Sequence, residues 1–205
     1  MSDSTAVRTP SQAYAEGVAA GRWRDDPAQH PALRELDRVQ RELLAATPTG
    51  LLARFGLGAR PAPVRGLYLW GGVGRGKTFL VDLFYDGLPL EQKQRTHFHR
   101  FMRGVHEQLR LHAGQSDPLA AIARQWRGTL RVLVLDEFFV TDIGDAMLLG
   151  RLLERLFAEG ITLVTTSNTA PQNLYKDGLQ RGSFLPAIAQ LRQHCVELAA
   201  DGRQD

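Results

Sequence analysis

Apolar residues recur along this chain in two rhythms. Short runs, apolar or β-branched throughout, stand at Leu67-Tyr68-Leu69-Trp70, at Val132-Leu133-Val134-Leu135 and from Ile161 to Thr166. Such runs predict strands covered on both faces. Between them, apolar positions fall at helical spacing: Leu33, Leu36, Val39, Leu43 and Leu44; Phe79, Leu80, Leu83 and Phe84; Leu148, Leu149, Leu152, Leu153, Leu156 and Phe157. The alternation in Thr96-His97-Phe98-His99 predicts a further strand, and Cys195 to Leu198 the last one. Helices are expected over 100–113, 117–127 and 143–159, the third stopped by Gly160, with short ones near 171–175 and 184–194. Strands alternating with helices predict an α/β fold: a five-stranded parallel sheet flanked by helices, binding ligands at the carboxyl ends of its strands.

Around that core, residues 1–10 read as a disordered start. Residues 11–63 read as a helical N-terminal segment with a linker. The helical pattern of 11–45 is interrupted at Asp25-Asp26-Pro27 and at Pro31, and Gly50 to Pro63 is rich in Gly, Pro, Ala and Arg. Residues 64–199 form the expected core and 200–205 a tail. A 43% apolar and 23% charged composition is that of a soluble globular protein. The net charge is +3, and all but three of the 25 basic residues are arginines, scattered without a run. That gives no strong signal for nucleic acid. The single cysteine, Cys195, has no partner for an internal disulfide and reads as a small buried hydrophobe. No stretch is long and apolar enough for a membrane span, and the first ten residues lack the marks of a signal peptide. A cytoplasmic setting is expected.

Chemistry enters with Gly71-x-x-x-x-Gly76-Lys77-Thr78, which follows one predicted strand and opens a predicted helix. Strand, glycine-rich turn and helix are the context in which these residues form a P-loop. Glycines at 71, 72, 74 and 76 let successive N–H groups curl into one concavity, and the helix N-terminus adds its positive end. The expected nucleotide-binding segment is therefore Gly71, Gly72, Val73, Gly74, Arg75, Gly76, Lys77, Thr78 and Phe79. Lys77 is expected to reach the β- and γ-phosphates of ATP and the Thr78 hydroxyl to take one Mg²⁺ position. A bare turn of small residues before a buried helix is the plainer alternative.

Directly after the apolar run at 132–135 stand Asp136 and Glu137. Asp136 suits Mg²⁺ binding and Glu137 suits a general base for hydrolysis. Asn168, after the fourth strand, suits contact with the γ-phosphate or orientation of water, although asparagine at a strand end is also a common turn former. Arg181, in Gly178-Leu179-Gln180-Arg181-Gly182, is placed to cross a subunit boundary and stabilise phosphoryl charge. Otherwise it is one surface arginine among many. His97 and His99, read as sharing a strand face with His106 nearby, lack a fourth ligand for a metal and are expected to pack and hydrogen-bond. Met102 and Trp126 are expected in the core.

These motifs sit within longer runs: LYLWGGVGRGKTFLVDLFY, HFHRFM followed by VHEQL, VLVLDEFFVTDIGDAMLLGRLLERLF and TSNTAPQNLYKDGLQRGSFLPAI. Across residues 12–199 the chain resembles the AAA+ ATPase family of the bacterial cell-division protein ZapE and its mitochondrial relatives. Tyr14, Asp26, Gln29 and Leu36 match that family's entry segment. The resemblance implies an AAA+-type P-loop NTPase that hydrolyses ATP with Mg²⁺. It implies a homo-oligomer, a ring in the intact member, acting on a protein substrate such as FtsZ at the division site. The functional positions carry over onto Lys77, Thr78, Asp136, Glu137, Asn168 and Arg181. Relatives continue into a helical lid, and with Asp205 as the last residue that C-terminal lid is expected to be absent. Other readings stay open: a lid-less module that binds nucleotide or docks without hydrolysis, a helicase-loader-like ATPase, and a small-molecule kinase.

Overall fold

The structure, a computed structural model, describes residues 7–46 and 63–200. Five parallel strands, β1 (Gly66–Trp70), β2 (Lys93–His97), β3 (Val132–Asp136), β4 (Thr162–Ser167) and β5 (Cys195–Ala199), form one sheet in the order β2-β3-β4-β1-β5. Among the described residues seven α-helices accompany it: α1 (Pro10–Ala19), α2 (His30–Ala45), α3 (Lys77–Gly87), α4 (Phe98–Leu111), α5 (Pro118–Arg127), α6 (Ile143–Ala158) and α7 (Arg181–His194).

The apolar strands serve two cores, because successive side chains leave opposite faces of a sheet. Leu67 and Leu69 of β1, Val132 and Val134 of β3 and Val164 of β4 pack with α1, α2 and α3. Tyr68, Leu133, Leu135 and Leu163 pack against α4, α5, α6 and α7. Gly66 permits a close approach within the sheet: a Cβ there would lie 1.7 Å from the Leu163 carbonyl oxygen of the paired strand.

Several boundaries differ from the sequence reading. The segment 96–99 is not one strand: β2 ends at His97 and α4 begins at Phe98. Phe98, Phe101, Met102 and Val105 are all buried, and that spacing satisfies one helix face where an extended chain would expose half of them. His97 and His99 therefore do not share a strand face, although their rings stack at 5.9 Å. Pro31 does not interrupt α2 but occupies its first turn, where a missing N–H costs nothing. Asp25-Asp26-Pro27 does break the helical run, and the Asp26 side chain accepts from Ala28 N. Pro10, assigned to a disordered start, begins α1 behind a Thr9–Gln12 capping box. Helix α7 begins at Arg181 rather than near 184, so Pro186 lies inside it. The expected linker, apart from Pro63, lies outside the described residues, as do residues 1–6 and 201–205.

No helix among the described residues is long and apolar enough to cross a membrane. Cys195 is fully buried, its Sγ–H directed at the Leu163 carbonyl, and burial pushes the thiol up to about 12. Met102 is buried, and Trp126 packs on Phe101.

Candidate nucleotide-binding site

The strand order sets the site. Because β4 lies between β1 and β3, the loops leaving three adjacent strands meet at one edge of the sheet. Hydrogen bonds continue past the strand ends and lock those loops together. Gly71 N donates to Ser167 O at 3.1 Å, Phe138 N to Thr166 O at 2.7 Å, and the Ser167 hydroxyl to Phe138 O at 2.7 Å. Beneath them the buried Tyr68 hydroxyl donates to Thr169 O at 2.8 Å, fixing the backbone beside Asn168.

The loop from Gly71 to Gly76 curls back on itself with φ at +148° for Gly71, +80° for Gly74 and +75° for Gly76. These are backbone conformations that favour glycine. At Gly76 the lack of a side chain matters twice, since a Cβ would also meet Gln29 Nε2 at 2.6 Å. After Gly71, no backbone N–H from Gly72 to Phe79 has a protein acceptor among the described residues. Backbone donors left together at a helix N-terminus form an anion site.

Lys77, the first residue of α3, is buried. Its ammonium donates to Gly71 O at 2.7 Å, Gly72 O at 2.8 Å and Asn168 Oδ1 at 3.0 Å. Burial lowers its pKa from the ordinary lysine value. Thr78 follows, exposed, in the first turn of the same helix. One cleft of about 430 Å³ holds Lys77, Thr78, Glu137 and Asn168 along its walls. Four residues separated by as many as 91 positions thus meet in one space.

Asp136 is the last residue of β3 and is buried. Arg95 pairs with it, and the Thr166 hydroxyl approaches Asp136 Oδ1 at 3.4 Å. Glu137 is turned out of the strand by a φ of +56°, uncommon for a residue with a side chain. Its N–H donates to Thr166 Oγ1 at 3.1 Å, and its carboxylate is 75% exposed, 3.6 Å from His97 Nδ1. The two adjacent acids are thereby separated in environment, one held and one open. A second cleft, containing His99, Phe139 and Thr169, shares Glu137 and Asn168 as its wall.

Arg181 lies elsewhere. It is not among the residues lining the Lys77 cleft, and its guanidinium donates to Leu174 O at 2.9 Å and Gln172 O at 2.6 Å. Among the described residues no group of three or more His, Cys, Asp or Glu side chains is placed to hold a metal ion. His106 instead pairs with Asp145 at 2.7 Å.

Sequence reasoning missed Arg95, Thr166 and Ser167 as contributors to the site. Arg95 sits in a half-exposed strand with no motif around it, and only the oddity of a basic residue opposite the apolar β3 marked it. Thr166 and Ser167 looked like the tail of a strand. Behind the cleft, Tyr14 and Trp23 pack on Phe79, with Trp23 edge-on at 4.9 Å, and so join the N-terminal segment to the first turn of α3.

Relatives of known name share this arrangement of sequence. The chain is 50% identical to the cell division protein ZapE of Escherichia coli strain K12, over 96% of this chain and 56% of that protein. It is 39% identical to lactation elevated protein 1 homolog B of Danio rerio, over 70% of this chain and 31% of that protein. It thus spans about half the length of the bacterial relative and about a third of the zebrafish one. Among solved structures, DnaI matches with a TM-score of 0.58 at 18% identity, covering 86% of this chain and 87% of that one. AMPPCP-bound DnaA from Aquifex aeolicus matches with a TM-score of 0.56 at 14% identity, covering 96% and 51%. These two likenesses show the fold alone, a parallel sheet with flanking helices. The AFG1-like ATPase family matches residues 8–205, and the chain belongs to that family.

Proposed function

We propose that this chain binds ATP with Mg²⁺ at the Gly71–Phe79 loop and hydrolyses it, as part of an ATPase that acts on protein partners in cell division. The observation that carries the reading is the run of unpaired N–H groups from Gly72 to Phe79, closed by the Lys77 ammonium against Asn168. Aligned donors beside a buried cation suit a polyphosphate and little else. Thr78 and Asp136 offer only oxygen atoms, the donor set of a hard divalent cation. When bound, Mg²⁺ would neutralise charge on the phosphates.

The rest falls to the chain's own residues. Lys77 follows the phosphates, exchanging its loop carbonyls for their oxygens. Glu137, exposed beside the cleft, accepts a proton from the attacking water. Asn168, on the wall between the two clefts, orients that water or the terminal phosphate. Arg181 serves a neighbouring copy in a homo-oligomer, which requires release of its two carbonyl contacts. The likeness to ZapE supports a division-linked role, and FtsZ is our proposed substrate on that ground. A cytoplasmic location at the division site goes with it.

The test is ATP hydrolysis by the purified chain across a concentration series, with Lys77→Ala beside it. Turnover rising steeply with protein concentration and lost in the variant is expected. Equal background in both would leave a docking module that does not hydrolyse nucleotide.

A further inference from the structure

β2 lies outside every motif assigned to the site, yet one of its residues touches two elements that carry them. Arg95 Nε donates to Asp136 Oδ2 at 2.7 Å and Nη2 to Asp136 Oδ1 at 3.3 Å. The same guanidinium donates through Nη1 to Asp82 Oδ1. Asp82 stands on α3 four residues after Thr78, so the two share one helix face. One planar group therefore joins the end of β3 to the helix whose first turn bears Thr78.

Burial shows where this contact is strong. The Asp136 side chain is 10% exposed and that of Arg95 18%, whereas Asp82 is 48% exposed. Burial alone would lower the Arg95 pKa, but its hydrogen bonds to Asp136 and Asp82 outweigh that and raise it. Both oxygens of the Asp136 carboxylate are engaged: Oδ2 accepts from Arg95 Nε, and Oδ1 accepts from Arg95 Nη2 and, at 3.4 Å, from the Thr166 hydroxyl. A lysine cannot reproduce this fork, because an ammonium donates from a single point.

We infer that Arg95 is a positioning residue for the Mg²⁺–nucleotide site: it orients both oxygens of Asp136 and, through Asp82, sets their separation from Thr78. This rests on the nucleotide reading above. Arg95 touches neither the Lys77 ammonium nor the loop N–H groups, so its effect is confined to the metal-dependent part of binding. A purely structural ion pair would instead weaken all binding along with the fold.

The two are separated by titrating the full chain with a fluorescent N-methylanthraniloyl ATP, in EDTA and over a Mg²⁺ series, with thermal melting alongside. For Arg95→Gln, affinity in EDTA should stay at the wild-type value while the Mg²⁺ needed for half-maximal tightening rises about tenfold or more. Arg95→Lys should fall between. Asp82→Asn, at a half-exposed carboxylate whose loss should cost the fold little, should raise the Mg²⁺ requirement about threefold. An unchanged Mg²⁺ requirement in Asp82→Asn, or a loss of EDTA affinity parallel to melting temperature in Arg95→Gln, would overturn the inference. Wild-type chain that binds the probe without any response to Mg²⁺ would overturn it too, while leaving nucleotide binding intact. Wild-type chain that binds no probe at all would remove the nucleotide reading, and the inference with it.

Discussion

The Lys77 ammonium and the Asn168 carboxamide are hydrogen-bonded, Nζ to Oδ1, at 3.0 Å. This bond joins the loop leaving β1 to the loop leaving β4, and it fixes the amide's orientation. With its oxygen committed to Lys77, Asn168 keeps both Nδ2 hydrogens, which meet no protein acceptor among the described residues. It is thus a donor on the wall of the cleft that also holds Lys77.

Removing that donor should affect turnover more than binding. Asn168→Ala is expected to lower the rate of ATP cleavage about a hundredfold with nucleotide affinity little changed, the signature of a group that acts on developing charge. Asn168→Asp places a carboxylate beside Lys77 and among the loop N–H groups, and should weaken binding itself. Single-turnover kinetics and a nucleotide titration distinguish the two effects.

Arg181 offers a test of assembly. Arg181→Ala and Glu137→Gln should each be inactive alone, yet a mixture should recover part of the activity if each site takes its arginine from a neighbour. Glu137→Gln should hold ATP without cleaving it, with a loss of about a hundredfold or more. Arg181→Ala also removes two hydrogen bonds from a charged group to the 172–174 backbone, so its melting temperature must be measured too. Loss of activity that follows melting, with no recovery on mixing, would reduce Arg181 to a loop brace.

Gly66→Ala should be among the most damaging small substitutions in the chain. Its methyl would lie 1.7 Å from Leu163 O, a backbone atom in a paired strand that has no rotamer to move. Overpacking of this kind costs about 3 kcal/mol or more, readable as a fall in the urea midpoint. Destabilisation below about 1 kcal/mol would show that the sheet yields there more easily than its packing suggests.

Cys195 should resist thiol reagents in the folded protein and react at once on unfolding. It is fully buried, and its neutral form is held by burial up to about 12. The folded pKa lies above the unfolded value, so the contribution is complete below the ordinary thiol range and is lost as pH rises through it toward 12. Urea midpoints for wild type should therefore fall above neutral pH more steeply than for Cys195→Ala. Matching slopes would remove the thiol from the alkaline response.

The amino-acid sequence by itself determined the α/β class, the P-loop between strand and helix, and the acid pair after an apolar strand. Each is a local pattern, and local patterns survive being read in one dimension. The Thr96–His99 segment misleads because alternation over four residues is also compatible with the start of a helix, and only the shared burial of Phe98, Phe101, Met102 and Val105 decides between them. What tertiary structure alone decided was the company each residue keeps. Insertion of β4 between β1 and β3 brought Asn168 to Lys77, and the pairing of β2 with β3 brought Arg95 to Asp136. Strand order and register are settled by packing across the whole sheet, so no window of neighbouring residues contains them.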